Sequence, residues 1–420
     1  MLSLNAERVL IVEGVLDDPA MKARFERMSE FITSEDVREV DDGELAETTE
    51  GDLEGRRRHG MNAEDDHIVI FNRFRFDDSE DERKRRSEAF PFLNRHKLNG
   101  YGGFDWRDSG SGEFRRKTGL VCQPAWQLHS IVGCHFRCAY CHLGWFVNIM
   151  MNVEDFVSRL DNWLERCPSQ TLFQYDNYTD TVCFEPEYGG AGLLIDYFAQ
   201  QPDKALELYV GKSDHVDFLL DYDHRGHTVG CWSLSGRTQS NHFEKRTASM
   251  VERIESMRKC QQAGYPVRVR LSPILPVKGW QEENREMIEL LFREVTPDLI
   301  TFETIRFLDY AEMRECFDTS LLDDEFLQTM KEAEGKQHSQ GCQAPDEYRA
   351  MVYDFTISEL ERVSPDTPYA FCREKLTLWE RFSPSFDGHL QCPDDYLCNC
   401  GPRSAPATIE VARHPSLLKH

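Results

Sequence analysis

The sequence of 420 residues contains neither a long apolar run nor a secretory leader. Its longest apolar stretch near the cysteines, GWFVNIMM at 144–151, is far shorter than the roughly 20 residues that a transmembrane helix requires. The first residues, MLSLNAERVLIVEG, do not show the order of a signal peptide. We therefore expect no membrane partner, a cytoplasmic location, and cysteines that stay reduced rather than forming a disulfide framework.

Positive charge is also in short supply. The formal net charge is −25, which favours solubility and repels other polyanions, so it argues against a nucleic-acid partner. Two basic runs, RKRR at 83–86 and RRK at 115–117, leave a local positive surface open. The acidic DDSEDE at 77–82 makes a balanced, solvated face the simpler interpretation. The sequence has no internal repeat and no long low-complexity segment.

Short β-rich runs alternate with segments of helical period from residue 121 onward. The predicted strands are WQLHSIV (126–132), TLFQY (171–175), LELYV (206–210), TVGCWSL (228–234), VRVRLS (267–272) and LITFE (299–303). Six strands with helices between them predict parallel βα units with right-handed crossovers. An open barrel of six βα units is the simplest closure of such a series, so the predicted fold class is α/β.

Three of the intervening helices have clear local signals. Apolar residues at helical spacing over 153–164, behind an Asn152 cap, predict one helix. Ser249 and Glu252 form a predicted capping box for a second helix, which ends near Gly264. The amphipathic EENREMIELLFREV at 282–295 predicts a third.

The chain divides into three predicted regions. Residues 1–120 open on the strand-like RVLIVEG and continue with acidic, glycine-containing stretches, which predicts a small α/β region that is partly mobile. Residues 121–310 form the predicted partial barrel. Residues 311–420 form a predicted helical extension that contains cysteines.

Three cysteines stand close together in GCHFRCAYCHLG at 133–144. Cys134, Cys138 and Cys141 are separated by three and then two residues, and Tyr140 directly precedes the last of them. The loop follows the first predicted strand, at the C-terminal mouth of the sheet, where barrels of this kind carry their chemistry. Such spacing lets one short loop surround a compact iron–sulfur cluster, which cysteine thiolates hold.

A four-iron cluster normally takes four cysteines, so three leave one iron open. That iron can chelate the amino and carboxylate groups of S-adenosylmethionine, and an electron from the cluster can then break the sulfonium bond to give a 5′-deoxyadenosyl radical. The alternative is a zinc site completed by His135, His142 or a distant cysteine. The position after the first strand of a βα series disfavours zinc, and the glycine and polar neighbours disfavour three ordinary buried cysteines.

The CxxxCxxC pattern with an aromatic residue before its third cysteine resembles the signature of the radical S-adenosylmethionine superfamily. Further segments are similar, in order, to the spore photoproduct lyase family, whose members repair a thymine dimer in DNA. They are RVLIVEGVLDDP (8–19), NYTDTVCFEPE (177–187), GKSDHVDFLL (211–220), WSLSGRTQSNHFEKRTASMVERI (232–254), AGYPVRVRLSPILPVKGW (263–280), FCREKLTLWE (371–380) and CNC (398–400). The resemblance implies a partial (β/α)6 barrel of the radical S-adenosylmethionine type.

The same resemblance implies roles for individual residues. It places a [4Fe-4S] cluster on Cys134, Cys138 and Cys141. The positions that it implies for binding S-adenosylmethionine are Tyr140, Thr179, Asp180, Lys212, Ser233 and Ser235. An ammonium at a strand end, as in Lys212, can meet the methionyl carboxylate, and a hydroxyl, as in Ser233, can bind the same group or the ribose. A surface or capping role is the alternative for each of these polar residues.

Two departures from the family pattern concern the substrate. The photoproduct lyases carry a cysteine beside the threonine–aspartate segment that can return a hydrogen atom to the product radical, whereas the neighbour of Thr179 here is Tyr178. They also tend to carry a tyrosine after the third cluster cysteine, where this chain has His142. Tyr140 and Tyr178 are therefore the candidate catalytic residues, with Tyr178 as a hydrogen donor through its phenol.

Four cysteines lie in the last fifty residues: Cys372, Cys392, Cys398 and Cys400. They could hold a second iron–sulfur cluster or a zinc ion, with CNC as the tightest part of the site. Against this, the stretch resembles a family in which a single cluster is the expectation. The remaining cysteines, such as Cys183, Cys231 and Cys260, are predicted to be small buried apolar residues, and Trp232 and Trp280 to be packing residues.

The leading hypothesis is a radical S-adenosylmethionine enzyme of the photoproduct-lyase type, which takes a hydrogen atom from its substrate. A reductant such as flavodoxin or ferredoxin would supply the electron. The substrate is either a thymine photoproduct in DNA or something unrelated, such as a small metabolite or a peptide. A non-catalytic metal-binding or electron-transfer protein is the alternative from a different class.

Overall fold

Two mainly parallel sheets organise the protein, as seen in a computed structural model. The structure describes residues 1–55, 67–107, 112–141, 143, 146–335, 343–382 and 398–406. None of the helices in these ranges combines the length and the apolar character that a bilayer crossing requires.

The strands of both sheets, in chain order, are β1 (Leu4–Val12), β2 (Ile32–Thr33), β3 (Val37–Val40), β4 (His67–Asn72), β5 (Phe104–Arg107), β6 (Leu120–Val121), β7 (Ala125–Leu128), β8 (Ile131–Val132), β9 (Arg137–Cys138), β10 (Phe146–Met150), β11 (Leu172–Tyr175), β12 (Ala205–Gly211), β13 (Thr228–Ser233), β14 (Glu244–Lys245), β15 (Val267–Ile274), β16 (Leu299–Thr304), β17 (Tyr369–Phe371) and β18 (Glu374–Lys375). Four of these strands belong to neither of the two large sheets. They form two small two-stranded ladders, β6 with β18 and β9 with β14.

The helices, in the same order, are α1 (Pro19–Ser29), α2 (Asp42–Gly55), α3 (Glu80–Ala89), α4 (Pro91–Arg95), α5 (Gly112–Thr118), α6 (Val153–Ser158), α7 (Leu160–Glu165), α8 (Gly190–Phe198), α9 (Met250–Gln262), α10 (Trp280–Glu294), α11 (Tyr310–Cys316), α12 (Asp324–Ala333), α13 (Asp346–Val363) and α14 (Leu376–Phe382). Helices and strands alternate through most of the described chain, as an α/β fold requires.

The larger sheet has eight strands in the order β17-β16-β15-β13-β12-β11-β7-β5. The six from β7 to β16 are parallel, and each overlaps one of the six runs predicted as strands, so the predicted series of parallel βα units is confirmed. β17 extends the sheet in parallel, and β5 closes its other edge antiparallel to β7. Among the described residues, the ladders end at these two edges.

The first predicted strand, residues 126–132, is wrong as a single element. β7 ends at Leu128, and β8 pairs instead with β10 in the other sheet. The cause is the carboxylate of Asp176, which accepts hydrogen bonds from the backbone nitrogens of Ser130 at 2.9 Å and Ile131 at 3.2 Å. These bonds take the place of a continuous strand ladder, and the chain crosses from one sheet to the other at this point.

The helix predicted over residues 153–164 is two short helices, α6 and α7, that meet at Arg159. Asn152 stands before α6, but its side chain does not cap the helix. Its oxygen accepts from Phe74 N at 2.7 Å and its amide donates to Phe74 O at 3.0 Å. The side chain therefore joins α6 to the loop after β4, and the first turn of the helix has no side-chain cap.

The other predicted helices are confirmed. Ser249 and Glu252 form the predicted capping box at the start of α9. The chain leaves that helix through Gly264, whose φ of +95° lies in the left-handed region that glycine adopts readily. α10 covers the predicted amphipathic stretch, and Trp232 and Trp280 lie in the core at 0% and 3% exposure.

The smaller sheet has the order β2-β1-β4-β10-β8, with β3 paired to the other edge of β1. β4 therefore pairs with β10, which pairs in turn with β8, and β8 and β10 flank the three-cysteine loop. The ring of His67, in β4, contacts Cys134 O through Nε2 at 2.9 Å. The loop consequently lies between the two sheets and is held from both sides.

The N-terminal ends of the barrel strands are covered by residues 398–406. Pro402 O accepts from Thr171 N at 2.7 Å, directly before β11. Arg268, near the start of β15, donates to Asn399 O at 3.1 Å and to Ser404 O. Asn399 is 1% exposed and donates to Val269 O at 3.1 Å. We call residues 398–406 the floor segment.

Candidate active site

The three-cysteine loop is attached to the loop that follows β11. Gly133 N donates to Tyr178 O at 3.0 Å, which places the start of the cysteine loop beside Tyr178. Gly133 has φ of +103°, and a Cβ at this position would lie 1.7 Å from Phe146 O. Only glycine fits there, because any side chain would collide with the backbone of β10.

The cysteine thiols are half-buried and receive backbone hydrogen bonds. Phe136 N donates to Cys134 Sγ at 3.4 Å, and Leu143 N donates to Cys141 Sγ at 3.4 Å. Burial raises the pKa of Cys138 to about 12, although Lys212 lowers it. Thiols in such a setting need a bound cation to stay deprotonated, and N–H bonds to sulfur tune iron–sulfur clusters.

This donor set fits a cluster with three protein ligands. Cys183, which also lies near Cys134, is 0% exposed, and its sulfur contacts Asp180 Oδ1 at 3.2 Å. It is therefore engaged elsewhere and does not extend the loop to a fourth ligand. His135, considered for a zinc site, stacks instead on His67 with ring centroids 6.0 Å apart.

A two-residue ladder brings a buried carboxylate against the cysteine loop. Cys138 in β9 pairs with Glu244 in β14, and Ala139 N donates to Phe243 O at 2.8 Å. The side chain of Glu244 accepts from Arg253 Nη2 at 2.6 Å, from Ser235 Oγ at 2.8 Å and from Tyr140 OH. The cluster loop and the wall behind it are therefore one hydrogen-bonded unit.

Charge pairing has a larger effect than burial on the pKa of Glu244. Burial raises the pKa of a carboxyl, but the cations of Arg253 and Lys212 and the hydrogen bond from Tyr140 outweigh it and lower the pKa of Glu244 to about 2. Both Glu244 and Arg253 have side chains with 0% exposure. We call the set Tyr140, Lys212, Ser235, Glu244 and Arg253 the Glu244 wall.

Lys212 follows β12 at the mouth of the barrel. Its Nζ lies 5.6 Å from the centre of the Tyr140 ring, and its backbone N donates to Asp180 Oδ2 at 2.7 Å. Burial raises the pKa of Asp180 to about 7, while the Lys212 backbone and Cys183 lower it. Gly211, with φ of +70°, makes this approach possible, since a Cβ there would lie 2.4 Å from Asp180 Oδ2.

The other predicted cofactor residues differ in how their hydroxyls are used. Ser233 Oγ is 3.0 Å from Tyr209 OH, and Ser235 donates to Glu244. Thr179 is 5% exposed, and its Oγ1 has no hydrogen-bond partner in the described structure. An unpartnered buried hydroxyl is costly, so it marks a position where a bound group can make the missing bond.

Tyr178 lies against a buried histidine and a lysine. Its ring stacks on His129 with centroids 4.1 Å apart, and Lys97 Nζ is 4.4 Å above the ring and 3.4 Å from the hydroxyl. His129 Nδ1 is 2.6 Å from Asp176 Oδ1, while its buried Nε2 has no partner in the described structure. We call His129, Asp176, Tyr178 and Thr179 the His129 wall.

Comparison with known proteins finds one family at this site. A family model described as spore photoproduct lyase matches residues 125–315. The spore photoproduct lyase of Bacillus subtilis (strain 168) is 32% identical over 184 residues, which are 41% of this chain and 54% of that protein. That of Clostridium acetobutylicum is 26% identical over 223 residues, covering 48% and 66% of the two chains. Over residues 125–315, somewhat less than half of its length, the chain is therefore similar to the spore photoproduct lyase family.

The chain spans about half to two thirds of the length of these curated relatives. Solved structures show the same fold. A spore photoproduct lyase complexed with dinucleoside spore photoproduct has a TM-score of 0.61 at 21% identity, covering 87% of this chain and 99% of that one. A mutant with bound AdoMet and dinucleoside spore photoproduct gives 0.61 at 20% identity, covering 87% and 98%. The predicted α/β fold with a partial barrel of βα units is therefore confirmed.

In this spore photoproduct lyase-like chain, the predicted cofactor residues are gathered around one mouth. Sequence reasoning missed the residues that position them, namely Glu244, Arg253, His129, Asp176 and Lys97. Asp176 had a usable signal, because it directly follows a predicted strand at the end where active sites form. Glu244 and Arg253 lie within the family-like segment 232–254, but nothing in their spacing indicates that they pair.

Two predicted positions fall outside the described residues: His142, which replaces the family's tyrosine, and Cys392 of the predicted second metal site. The other three members of that site are described. Cys372 Sγ is 3.5 Å from Arg270 Nη2, and Cys398 and Cys400 belong to the floor segment. Cys183, Cys231 and Cys260 are 0 to 1% exposed, as predicted for buried cysteines.

Proposed function

We propose that the protein is a radical S-adenosylmethionine enzyme of the lyase type that acts on a thymine photoproduct in DNA. The observation that carries the proposal is the three-cysteine loop held against the Glu244 wall, at the mouth of a partial barrel. The names of the family relatives support it, as does the solved relative described with AdoMet and dinucleoside spore photoproduct.

Cys134, Cys138 and Cys141 would hold a [4Fe-4S] cluster. When bound, the cluster and S-adenosylmethionine supply a 5′-deoxyadenosyl radical that can take a hydrogen atom from a substrate. Lys212 would bind the methionyl carboxylate through a charge-assisted hydrogen bond. Ser233, Asp180 and the unpartnered hydroxyl of Thr179 would complete the cofactor contacts.

Apart from Lys212, the residues of the Glu244 wall would position the cysteine loop rather than bind the cofactor. The hydroxyls of Tyr140 and Ser235 both donate to Glu244, and Arg253 neutralises that carboxylate. The backbone of the cysteine loop and the Tyr140 ring would thereby be held in one place while the cofactor enters. This arrangement reduces the reorganisation that binding would otherwise require.

Tyr178 would return a hydrogen atom to the product radical, by breaking its O–H bond and forming a C–H bond on the product, which leaves the unpaired electron on the Tyr178 phenoxyl. Lys97 and His129 lie directly against the phenol, which gives its oxygen and ring a polar environment in a buried loop. Replacing Tyr178 by Phe removes the donor and keeps the stack. We expect turnover to fall while the initial hydrogen abstraction, measured as 5′-deoxyadenosine, continues.

A small metabolite or a peptide is the second candidate substrate. The net charge of −25 disfavours a polyanion, and Tyr178 stands where the lyase family carries a cysteine. Both features concern the substrate and leave the cofactor chemistry unchanged. Flavodoxin or ferredoxin as the electron donor and a cytoplasmic location stay predictions.

One experiment tests the radical chemistry and the choice of substrate separately. Protein reconstituted anaerobically with iron and sulfide is reduced in the presence of S-adenosylmethionine, and 5′-deoxyadenosine is measured; Cys138→Ala is the inactive control and Cys260→Ala the matched one. Absence of the product from protein with a full cluster would refute the radical chemistry. An oligonucleotide with the spore photoproduct is then added, and failure to restore thymines while 5′-deoxyadenosine still forms would point to the second substrate class.

A further inference from the structure

The floor segment brings two cysteines, Cys398 and Cys400, to the barrel end opposite the three-cysteine loop. One residue separates them, and that residue, Asn399, is fixed by its hydrogen bonds to Val269 O at 3.1 Å and Cys231 Sγ at 3.5 Å. The backbone nitrogen of Cys398 is also held in place, because it donates a hydrogen bond to Ser404 Oγ at 3.1 Å. The two thiols are therefore presented side by side on a short, well-anchored turn.

Cys400 is in contact with a cation. Arg107 Nη1 donates to Cys400 Sγ at 2.9 Å, and Arg107 Nη2 donates to Cys400 O at 3.0 Å and to Gln123 O at 3.0 Å. A guanidinium held by two carbonyls cannot easily turn away from the sulfur. A sulfur in this position is stabilised as the thiolate, which is the reactive form of cysteine.

The neighbouring thiol adds to this effect. The Cys398 thiol donates a hydrogen bond to the Cys400 sulfur, and Arg270 is a second cation near that sulfur. Burial raises the pKa of Cys260 and Cys316 to about 12. The floor segment, by contrast, places the Cys400 sulfur against a guanidinium and a second thiol.

We propose that Cys398 and Cys400 form a redox modification site whose reagent is a low-molecular-weight disulfide. The Cys400 thiolate attacks one sulfur of the disulfide and releases one thiolate of the reagent. Cys398 then gives its proton to that thiolate and attacks the Cys400 sulfur, which releases the second thiolate. The protein gains a Cys398–Cys400 disulfide, and the reagent is reduced to one thiol and one thiolate.

The site is separate from the proposed cofactor chemistry, because it lies at the N-terminal ends of the strands. Its oxidation would nevertheless change contacts that stabilise the fold. The disulfide would remove the negative charge that Arg107 contacts and would pull the Cys400 sulfur toward Cys398. Because Arg107 ends β5 and also binds Gln123 O, oxidation is expected to loosen the edge of the sheet around this arginine.

Thiol mapping of the full-length, cluster-containing protein provides the first test. The protein is equilibrated anaerobically with oxidised and reduced glutathione, quenched in acid, alkylated and digested with trypsin and a protease that cuts before Asp. The peptide that begins at Asp395 contains Cys398 and Cys400 without Cys392. We expect it to lose both alkylation tags together and the mass of two hydrogen atoms, while Cys167 stays alkylated.

Reaction rates provide the second test, because they report on the thiolate without depending on a cysteine variant that fails to fold. At about pH 6, the labelling of Cys400 by 4,4′-dithiodipyridine should fall roughly tenfold in Arg107→Gln, as expected for a rise of one pKa unit. Arg116→Gln removes the same charge from the exposed side of α5 and should leave the rate unchanged.

Three outcomes would overturn the proposal. One is full alkylation of both thiols after equilibration with oxidised glutathione alone. Another is a disulfide that joins either cysteine to Cys392 or Cys372 instead. The third is protection of both thiols that a chelator removes, together with metal in the protein, since that result would favour the second metal site predicted from the sequence.

Discussion

The Glu244 wall and the His129 wall adjoin the same cysteine loop but differ in how many of their polar groups already have partners. In the described structure, every buried polar side-chain atom of the Glu244 wall is hydrogen-bonded, whereas the His129 wall leaves His129 Nε2 and Thr179 Oγ1 without a partner. A fully satisfied network makes one side rigid. The unpartnered groups on the other side can bind a ligand. Apart from Lys212, whose ammonium is also free to bind, positioning and binding are therefore divided between the walls.

The largest expected effect comes from removing the buried cation of the Glu244 wall. Arg253→Met leaves Glu244 buried and unpaired, and we expect a loss of about 3–5 kcal/mol in the free energy of unfolding, measured with urea. Arg237→Met breaks an exposed pair with Glu286, whose partners are 51% and 49% exposed, and should cost about 0–1 kcal/mol. Equal losses in the two variants would contradict the described network.

Asp180 joins the two walls and gives a pH-dependent prediction. Burial raises its pKa from 3.8 to about 7, so the folded state binds this proton more tightly than the unfolded state. The resulting stability is fully present below about pH 3.8 and is lost as the pH rises through about 7. Over this range, cluster-free wild type should lose on the order of 4 kcal/mol relative to Asp180→Asn. Parallel stability curves for the two proteins would refute the shift.

A smaller effect is expected at Ser235, on the satisfied wall. Ser235→Ala removes one hydrogen bond to Glu244, and we expect a loss of about 1 kcal/mol in the free energy of unfolding. Because the hydroxyl is already occupied, the affinity for S-adenosylmethionine should change little. A large loss of affinity with unchanged stability would place Ser235 among the binding residues instead.

The smallest stability effect is expected at Thr179, on the open wall. Thr179→Val removes a hydroxyl that has no partner, so the free energy of unfolding should stay within about 0.5 kcal/mol of the wild-type value. The affinity for S-adenosylmethionine, measured by calorimetry on the reconstituted protein, should fall about fivefold to tenfold. Opposite responses of Thr179 and Ser235 would sharpen the division between the walls, and identical responses would remove it.

Local patterns allowed much of this molecule to be predicted. Alternation of apolar residues located the parallel strands, and the spacing of Cys134, Cys138 and Cys141 indicated a single loop for a metal cluster. The capping box of Ser249 was equally local. What failed depends on distant partners: the carboxylate of Asp176 ends the strand at Leu128, and Phe74 takes the side chain of Asn152 away from its helix.

The same limit applies to the candidate site. Cys134 to Cys141 and Lys212 were found because residue type and position in a βα series suffice to indicate their chemistry. Glu244 and Arg253 are ordinary charged residues in the sequence, and their role arises only when β9 and β14 pair. His129 was hidden for the same reason, because its carboxylate partner directly follows β11, the neighbouring strand of the sheet.

The floor segment has a consequence for the order in which the chain can fold. Its contacts with Arg107 and Thr171 span 293 and 231 residues of sequence. Such long loops close late, because their entropic cost must be met before the contacts form. During synthesis, the N-terminal ends of the barrel strands stay uncovered until residues 398–406 have been made. Until then, Arg268 lacks the carbonyl groups to which it donates hydrogen bonds in the folded protein.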